Sequence, residues 1–433
     1  MVDQKPSGKR AVARCDFLGG KPYSDEEDLL FRSFLSPGYH CTVKQVAKWM
    51  AEAGMATRID PAGNLIGRYE GSTADSPALL IGSHLDSVRD AGRYDGPLGV
   101  MLGIECVDAL NRAGKRMPYA IEVIAFGDEE GSRFPASMLC SRAVAGTLPA
   151  GDLDQADTDG VSLSDALIKS GLSTENFLDA RREQGEILAY LEAHIEQGPM
   201  LEAKDLPVGT VTAFAGQRRY RVVVTGKAGH AGTTAMSLRR DALAATADAV
   251  LAVEQVGVAG PDDLVSTVGV LQVAPGAINV IPGQVEFTVD IRAGDAPTRD
   301  DAASEILARF EIIAAKRNVS FEVTPLQEIM PCPCDPELMA LLDRSIDKVG
   351  VQPMRLVSGA GHDAMSFGDF CPVAMLFVRC RDGISHNPAE HVEQADVDVA
   401  FNVMLGFIDQ LAASPMTAGM KQQQSANGET LEA

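Results

Sequence analysis

The sequence predicts an α/β protein: a mostly parallel sheet with helices on both faces, interrupted by a smaller inserted domain. Three observations predict it. The short apolar runs Ala78 to Gly82, Ile121 to Phe126 and Val373 to Val378 have the length and composition of strands buried on both faces. Helical patterns lie between and around them, and such alternation is what a parallel sheet with crossover helices requires. From Arg219 the rhythm changes to half-buried, alternating strands, and the first pattern returns after residue 330.

Taken in order, residues 25 to 54 carry a helical pattern, and Leu65 to Tyr69 reads as a strand after the turn Asp60-Pro61-Ala62-Gly63-Asn64. The first buried run follows Pro77, a helix runs from about Gly99 to Ala113, and the second buried run comes next. The middle of the chain then reads as a strand at Tyr220 to Val224, a helix near 239 to 256, strands at 264 to 273 and 284 to 292, a helix at 299 to 317 and a strand at 319 to 324. That order is βαββαβ, the ferredoxin-like split unit. In its second helix Ala303, Ile306, Leu307, Phe310, Ile313 and Ala314 recur at helical spacing, and Asp300, Asp301 and Glu305 near its start suit the helix dipole. The strand from Val285 to Ile291 alternates apolar residues with Glu286, Thr288, Asp290 and Arg292, so Arg292 points away from the helices. A helix near 336 to 349, the third buried run and a helix near 394 to 412 complete the pattern. The expected divisions are 20–212 and 330–412 for the two parts of the larger domain and 213–329 for the insertion. The tail 413–433 lacks apolar periodicity and is expected to be disordered.

At 433 residues and 45% hydrophobic, the chain has ample material for two cores. Its net charge of -22 argues against nucleic acid and anionic membrane as partners. The unbroken apolar runs are strand-sized, and Met1 to Arg14 has four charged positions before Arg14 and no apolar core, so neither a transmembrane span nor a secretory signal is read. Eight cysteines scattered over a chain of this length do not form a disulfide framework, and reduced thiols in a cytoplasm are expected. Cys332-Pro333-Cys334 could ligate a metal, but a lone pair reads more simply as a loop.

The chemistry concentrates at the ends of the buried runs. His84 and Asp86 directly follow the first, and Gly127-Asp128-Glu129-Glu130-Gly131 follows the second. Open parallel sheets bind ligands at the carboxyl ends of their strands. Imidazole and carboxylate suit Zn, Mn, Co or Ni, and a neighbouring carboxylate such as Asp86 can fix the tautomer of a ligating histidine. Adjacent Glu129 and Glu130 are costly to bury as anions without nearby cations, which suggests one ligand and one proton carrier; solvated loop acids are the other reading. Of the seven histidines, His84, His194, His230, His362 and His386 sit in glycine-punctuated or acid-flanked motifs, while His40 and His391 do not.

With GSHLDSV at 82 to 88, GRYDGPLGV at 92 to 100, DEEGSRF at 128 to 134, HIEQGPMLE at 194 to 202, GHAGTTAM at 229 to 236, INVIPG at 278 to 283, SGAGHDAM at 358 to 365 and GISHNPAE at 383 to 390, the sequence resembles the dinuclear-metal aminoacylase and carboxypeptidase superfamily. Within it, the chain is similar to the branch of N-carbamoyl-L-amino-acid hydrolases, beta-ureidopropionases and allantoate amidohydrolases. The motifs run in family order over roughly residues 20 to 412.

This resemblance implies two divalent metal ions per subunit, Zn, Mn, Co or Ni. His84 and His194 would hold one, Glu130 and His386 the other, and Asp95 would bridge them. Glu129 would be the general base and Asp86 the acid that orients a ligand. The insertion would be a lid and dimerisation domain. Its His230 would reach across a homodimer to stabilise an oxyanion in the neighbouring site. Gln197, Gln217, Asn279, Arg292 and His362 would hold the ureido group and carboxylate of the substrate, with the Arg292 fork as the carboxylate clamp unless it pairs with Asp290 or Glu286 instead. The implied reaction is hydrolysis of a linear ureido acid, releasing ammonia and carbon dioxide. Ser132 and the stretch Met375 to Cys380 favour allantoate and hence purine catabolism. N-carbamoyl-L-amino acids, N-carbamoyl-beta-alanine, and peptide or acyl-amino-acid substrates are the alternatives.

Overall fold

The structure, a computed structural model, describes residues 5–417. The chain divides into two compact units: one comprises the described residues up to Thr212, Cys334–Arg355 and those from His362 onward, the other Ala213–Pro333 and Leu356–Gly361.

The first unit begins with α1 (Gly8–Phe17) and α2 (Pro37–Glu52), then β1 (Ala56–Ile59), β2 (Leu65–Tyr69), β3 (Ala78–His84), α3 (Pro97–Arg112) and β4 (Ala120–Phe126). Short helices α4 (Leu139–Ala145), α5 (Leu163–Lys169) and α6 (Thr174–Phe177) lead to β5 (Ile187–Ile195), α7 (Met200–Ala203) and β6 (Val208–Phe214). The second unit holds β7 (Gly216–Thr225), β8 (Gly229–His230), α8 (Ala242–Ala259), β9 (Val265–Thr267), β10 (Leu271–Ala274), β11 (Val280–Ile281), β12 (Gln284–Ala293), α9 (Ala296–Arg317), β13 (Ser320–Ile329) and β14 (Cys332–Pro333). The chain returns to the first unit through α10 (Pro336–Lys348), passes once more into the second with most of β15 (Arg355–Ser358), and ends in the first with β16 (Val373–Val378) and α11 (Gln394–Ala413).

The fold is mixed α/β. In the first unit the strands run β1-β2-β4-β3-β5-β16-β6. The four middle strands are parallel, and the flanking pairs β1/β2, β2/β4 and β16/β6 are antiparallel. Every residue of β3, β4 and β16 is buried, which is why these strands read as continuous apolar runs. Each leucine or isoleucine buried there contributes about 1.5–3 kcal/mol.

One expectation for this unit needs correction. The helical pattern over 25 to 54 yields a helix only over Pro37–Glu52. Upstream, side chains compete for the backbone: Ser24 Oγ accepts from Glu26 and Phe31 N–H, and Asp25 accepts from Ser33 and Gly38 N–H. Ser36 then caps the helix through Tyr39 N–H, with Pro37 at its first turn. The N-terminal stretch forms α1, capped by Ser7 and packed on α3 and α11. Arg10 and Arg14 both pair with the fully buried Glu105 of α3.

In the second unit the sheet order is β10-β12-β7-β13, with β9 also on β12 and every pair antiparallel. The helices α8 and α9 cover one face, where Val222, Val224, Phe287, Ile291, Ala245, Val253, Ile306 and Phe310 form the core. The strand expected at 264 to 273 is two strands. Between them Thr288 Oγ accepts the Val270 N–H at 3.2 Å, so a side chain replaces a ladder bond and the strand breaks. The last strand is longer than expected, with an irregularity beside Pro325, which has no N–H to give. By length and composition α8 is apolar enough to cross a membrane, but its Ala245, Ala249 and Val253 lie in this core.

All eight cysteines are free thiols. Of the tail expected to be disordered, Ser414 to Thr417 is a turn in which the Thr417 hydroxyl donates to Ser414 O at 3.0 Å, and the remainder lies outside the described residues.

Candidate metal centre

Parallel strands deliver their carboxyl ends to one side of a sheet, and here four such ends carry the polar residues. His84 is the last residue of β3, opposite Phe126, the last of β4. His194 lies near the end of β5, in register with Phe377 of β16. Asp128, Glu129 and Glu130 follow β4, and His386 lies beyond β16. Asp95 stands just before α3. The strand geometry ends at His84, so Asp86 reaches the site from the loop rather than from a continued strand. Asp128, Gln197 and His386 all have left-handed backbone, with φ of 52°, 57° and 54°.

Asp95 is central. Its Oδ1 lies 3.1 Å from His194 Nε2 and 3.5 Å from His84 Nε2. Its Oδ2 lies 3.4 Å from His386 Nε2, which is also 3.4 Å from Glu130 Oε1. His84 Nε2 is 4.0 Å from Glu129 Oε2. Asp86 is fully buried behind them and accepts the backbone N–H groups of Glu129 and Glu130, at 3.1 and 3.2 Å, one on each oxygen. Gly96 lets the loop pass this close: its φ is +82°, and a Cβ there would lie 2.5 Å from the His84 ring.

The donor set fits a metal on a specific observation. Nδ1 of His194 lies 2.9 Å from Ile195 O, and Nδ1 of His84 lies 3.1 Å from Asp86 O. Donating there leaves each Nε2 with a lone pair aimed at an oxygen of Asp95, and His194 Nε2 makes no hydrogen bond among the described residues. Two acceptors facing one another need a cation between them. Among the described residues no Lys or Arg pairs with Asp86, Asp95, Glu129 or Glu130. Donor atoms of His84, Asp95 and His194 lie within 4.8 Å of one another, as do those of Asp95, Glu130 and His386, and those of His84, Glu129 and Glu130. Without metal, protons take up the strain. Burial alone would lower His84, but Asp86, Asp95 and Glu129 raise it well above its ordinary value. Burial would likewise raise Asp95, but His194 and His84 hold it well below the carboxylate range. Burial pushes Glu129 well up and, with the charge of Asp95, pushes Glu130 up to about 8.

A model of peptidase family M20/M25/M40 matches residues 80–410, which spans this donor set. An N-carbamoyl-L-amino acid amidohydrolase of Geobacillus stearothermophilus is 45% identical over 85% of this chain and 90% of its own length. A probable allantoate deiminase of Oryza sativa subsp. japonica is 41% identical over 91% of this chain and 87% of its own length. The chain belongs to the M20/M25/M40 peptidase family. Among solved structures, a hydantoinase/carbamoylase family amidase from Burkholderia multivorans superposes with a TM-score of 0.87 at 33% identity, covering 95% of this chain and 99% of that one.

The other residues singled out from the sequence of this M20-family chain fall into three groups. His362 and Gln197 join the centre: His362 is buried with its ring 4.4 Å from that of His194, and burial and His194 hold it well below its ordinary value. Gln197 Nε2 donates to Asp95 Oδ2 at 2.7 Å, while its Oε1 is buried without a partner among the described residues. In the second unit, Gln217 of β7 and Arg292 of β12 are cross-strand partners that both donate to Asp290. The same-strand ion pair, the alternative to a free carboxylate clamp, is therefore formed, and Arg292 also donates to Gly359 O at 2.7 Å. Elsewhere in that unit His230 is exposed on β8, pairs with Val280 of β11 and accepts the Gly232 N–H at Nδ1, and Asn279 O accepts the Ala231 N–H.

Sequence reasoning misses several acids of the centre. Glu192 shares a strand face with His194 by the period of two, and Glu192, His194 and His362 have donor atoms within 4.8 Å of one another. Asp128 and Asp363, each next to a residue already singled out, are fully buried carboxylates. The period of two could have found Glu192. Glu390 has only its place in GISHNPAE to mark it.

Proposed function

We propose that this M20-family protein is a metal-dependent amidohydrolase of linear ureido acids, with allantoate as its substrate, and that it releases ammonia and carbon dioxide from the carbamoyl group. The observation that carries this is Asp95, whose two oxygens face two separate groups of imidazole and carboxylate donors with Glu129 beside them. His84 and His194 would hold one divalent ion and Glu130 and His386 the other, with Asp95 shared between them; Zn, Mn, Co and Ni all suit these ligands. Bound there, such ions lower the pKa of water and polarise a carbonyl. Glu129 takes the proton of the attacking water and hands it to the leaving nitrogen, and its burial favours that exchange. Asp86 keeps His84 and the backbone of both glutamates in place.

Substrate contacts follow from which atoms are free. Gln197 gives its N–H groups to Asp95 and Ser385, so its Oε1 is the atom available, as an acceptor for a ureido NH2. The second unit, an antiparallel sheet ordered β10-β12-β7-β13 with α8 and α9 on one face, acts as a ferredoxin-like lid and dimerisation domain. Its Gln217, Asn279 and Arg292 receive the substrate, and Arg292 exchanges Asp290 for the substrate carboxylate. The exposed His230 serves the site of the second subunit in a homodimer as an oxyanion donor. His362, kept neutral, donates a hydrogen bond without adding charge. The enzyme works in the cytoplasm on a small molecule.

A second reading is supported by the Geobacillus stearothermophilus relative at 45% identity: the substrate is an N-carbamoyl-L-amino acid. Ammonia release by Mn-, Zn-, Co- and Ni-loaded protein decides between them, with allantoate, N-carbamoyl-L-amino acids and N-carbamoyl-beta-alanine compared side by side. Allantoate turned over fastest upholds the proposal, and preference for a carbamoyl amino acid selects the second reading. Silence on all three with cleavage of dipeptides or N-acetyl amino acids would overturn both. A His230→Ala variant is expected to keep its fold and metals while kcat falls about 10²–10³-fold.

A further inference from the structure

Asp95 is shared by the donor group of His84 and His194 and the donor group of Glu130 and His386, so its orientation sets the centre, yet no Lys or Arg among the described residues holds it. What holds it lies outside the donor set. Glu390 is 5% exposed, and one of its oxygens accepts two consecutive backbone N–H groups, from Tyr94 at 2.8 Å and Asp95 at 3.2 Å. That contact fixes the peptide from which the Asp95 side chain projects. The Ser385 hydroxyl lies 2.5 Å from Asp95 Oδ2 and 3.3 Å from the other oxygen of Glu390. That contact fixes the rotation of the Asp95 carboxylate. The packing leaves no slack, since a Cβ on Gly92 would come within 2.1 Å of the Glu390 carboxyl carbon. Gln197 completes the arrangement, 2.7 Å from Asp95 Oδ2 and 3.3 Å from Ser385 Oγ.

We infer that Ser385 and Glu390 are positioning residues that set Asp95, through its backbone and its carboxylate rotation, so that one oxygen faces His84 and His194 and the other faces His386. They also tie the loop before α3 to the loop that carries His386, across 295 positions of chain. A charge-assisted pair of N–H contacts to one carboxylate is geometrically demanding, and groups that orient a ligand typically change metal affinity or activity 10- to 100-fold when removed. The inference rests on the reading of Asp95 as a metal ligand.

The test compares the full chain with Ser385→Ala, Glu390→Ala and Glu390→Gln, each stripped with chelator. Mn2+ binding is measured by titration calorimetry, metal-free unfolding by melting, and kcat and KM on the ureido acid turned over fastest. The expected result is Mn2+ binding weakened about 10- to 100-fold in both alanine variants, with kcat reduced more than KM is changed. Metal-free melting of Ser385→Ala should match the parent, and Glu390→Gln, whose amide oxygen still accepts both N–H groups, should recover most of the affinity. Parent-like Mn2+ binding in both alanine variants would overturn the inference while leaving the metal reading intact. Loss confined to Glu390→Ala, accompanied by a lower metal-free melting point, would make Glu390 a staple of the fold and also overturn it. A parent chain that binds no Mn2+, Zn2+, Co2+ or Ni2+ would instead overturn the metal reading, and this inference with it.

Discussion

Glu122, inside β4, and Glu130, in the loop just beyond that strand, are both carboxylates taken largely out of water, but their cations come from different places. Glu122 is 2% exposed and has a guanidinium on each oxygen, Arg68 at 2.8 Å and Arg182 at 2.7 Å. Burial would raise it, but Arg182 and then Arg68 hold it below its ordinary value. Among the described residues Glu130 has no arginine; burial and the charge of Asp95 push it up to about 8, and its nearest cationic candidate is an imidazole. Where a buried acid serves the fold, the chain brings its own guanidinium. Where the chain omits one, the missing charge is a capacity to bind a cation.

The largest effect is expected on the side without arginine: Glu129→Gln should lower kcat about 10²–10⁴-fold while metal analysis finds the parent's content, because a proton carrier is lost and no donor is. A parallel loss of metal would make Glu129 a ligand. On the other side, Glu122→Gln should cost about 3–5 kcal/mol of stability in denaturant unfolding, with metal content and low-temperature kcat unchanged. A Glu122→Gln protein of parent stability would mean that the two arginines are satisfied elsewhere.

Chelation should be next in size. Stripping a metal present at 100 times its Kd removes about 2.7 kcal/mol, visible as a lower melting point in the parent and absent in Asp95→Ala, where the shared ligand is gone. The smallest effect is with pH. Because the folded pKa of Glu122 lies below its ordinary 4.5, the unfolded chain binds the proton first as the solution is acidified. The contribution of Glu122 is therefore complete above 4.5 and lost as pH falls through the folded value, about 1.4 kcal/mol for each unit of separation. Melting points of the parent should fall more steeply in acid than those of Glu122→Gln, and equal slopes would remove Glu122 from acid unfolding.

The difference between these settings also governs how much is legible in the amino-acid sequence. Strands β3, β4 and β16 announce themselves because a strand buried on both faces must be apolar throughout, and His84, Glu129 and Glu130 stand out as polar residues ending such runs. Glu192 lies inside a strand, where alternation with Leu191 and Ala193 looks like ordinary half-burial, and only its place two residues before His194 marks it. The contribution of Glu390 depends on two N–H groups 296 and 295 positions away, which no local pattern can signal. The loop before α2 mimics a helix in its spacing, but Ser24 and Asp25 turn the backbone through bonds to residues 26 to 38 and override it. Arg292 is legible as outward-facing, but its choice of Asp290 is not, since both partners lie on one polar face.

The left-handed backbone at Asp128, Gln197 and His386 has an evolutionary consequence. A residue other than glycine there costs about 1–2 kcal/mol relative to one that accepts the conformation freely. Replacement by glycine would relax each loop, and at Gln197 and His386 it would also delete an atom that touches Asp95. Selection for thermostability alone would therefore push these two positions toward glycine and erode the centre. Their present identities are a standing conflict between robustness and chemistry.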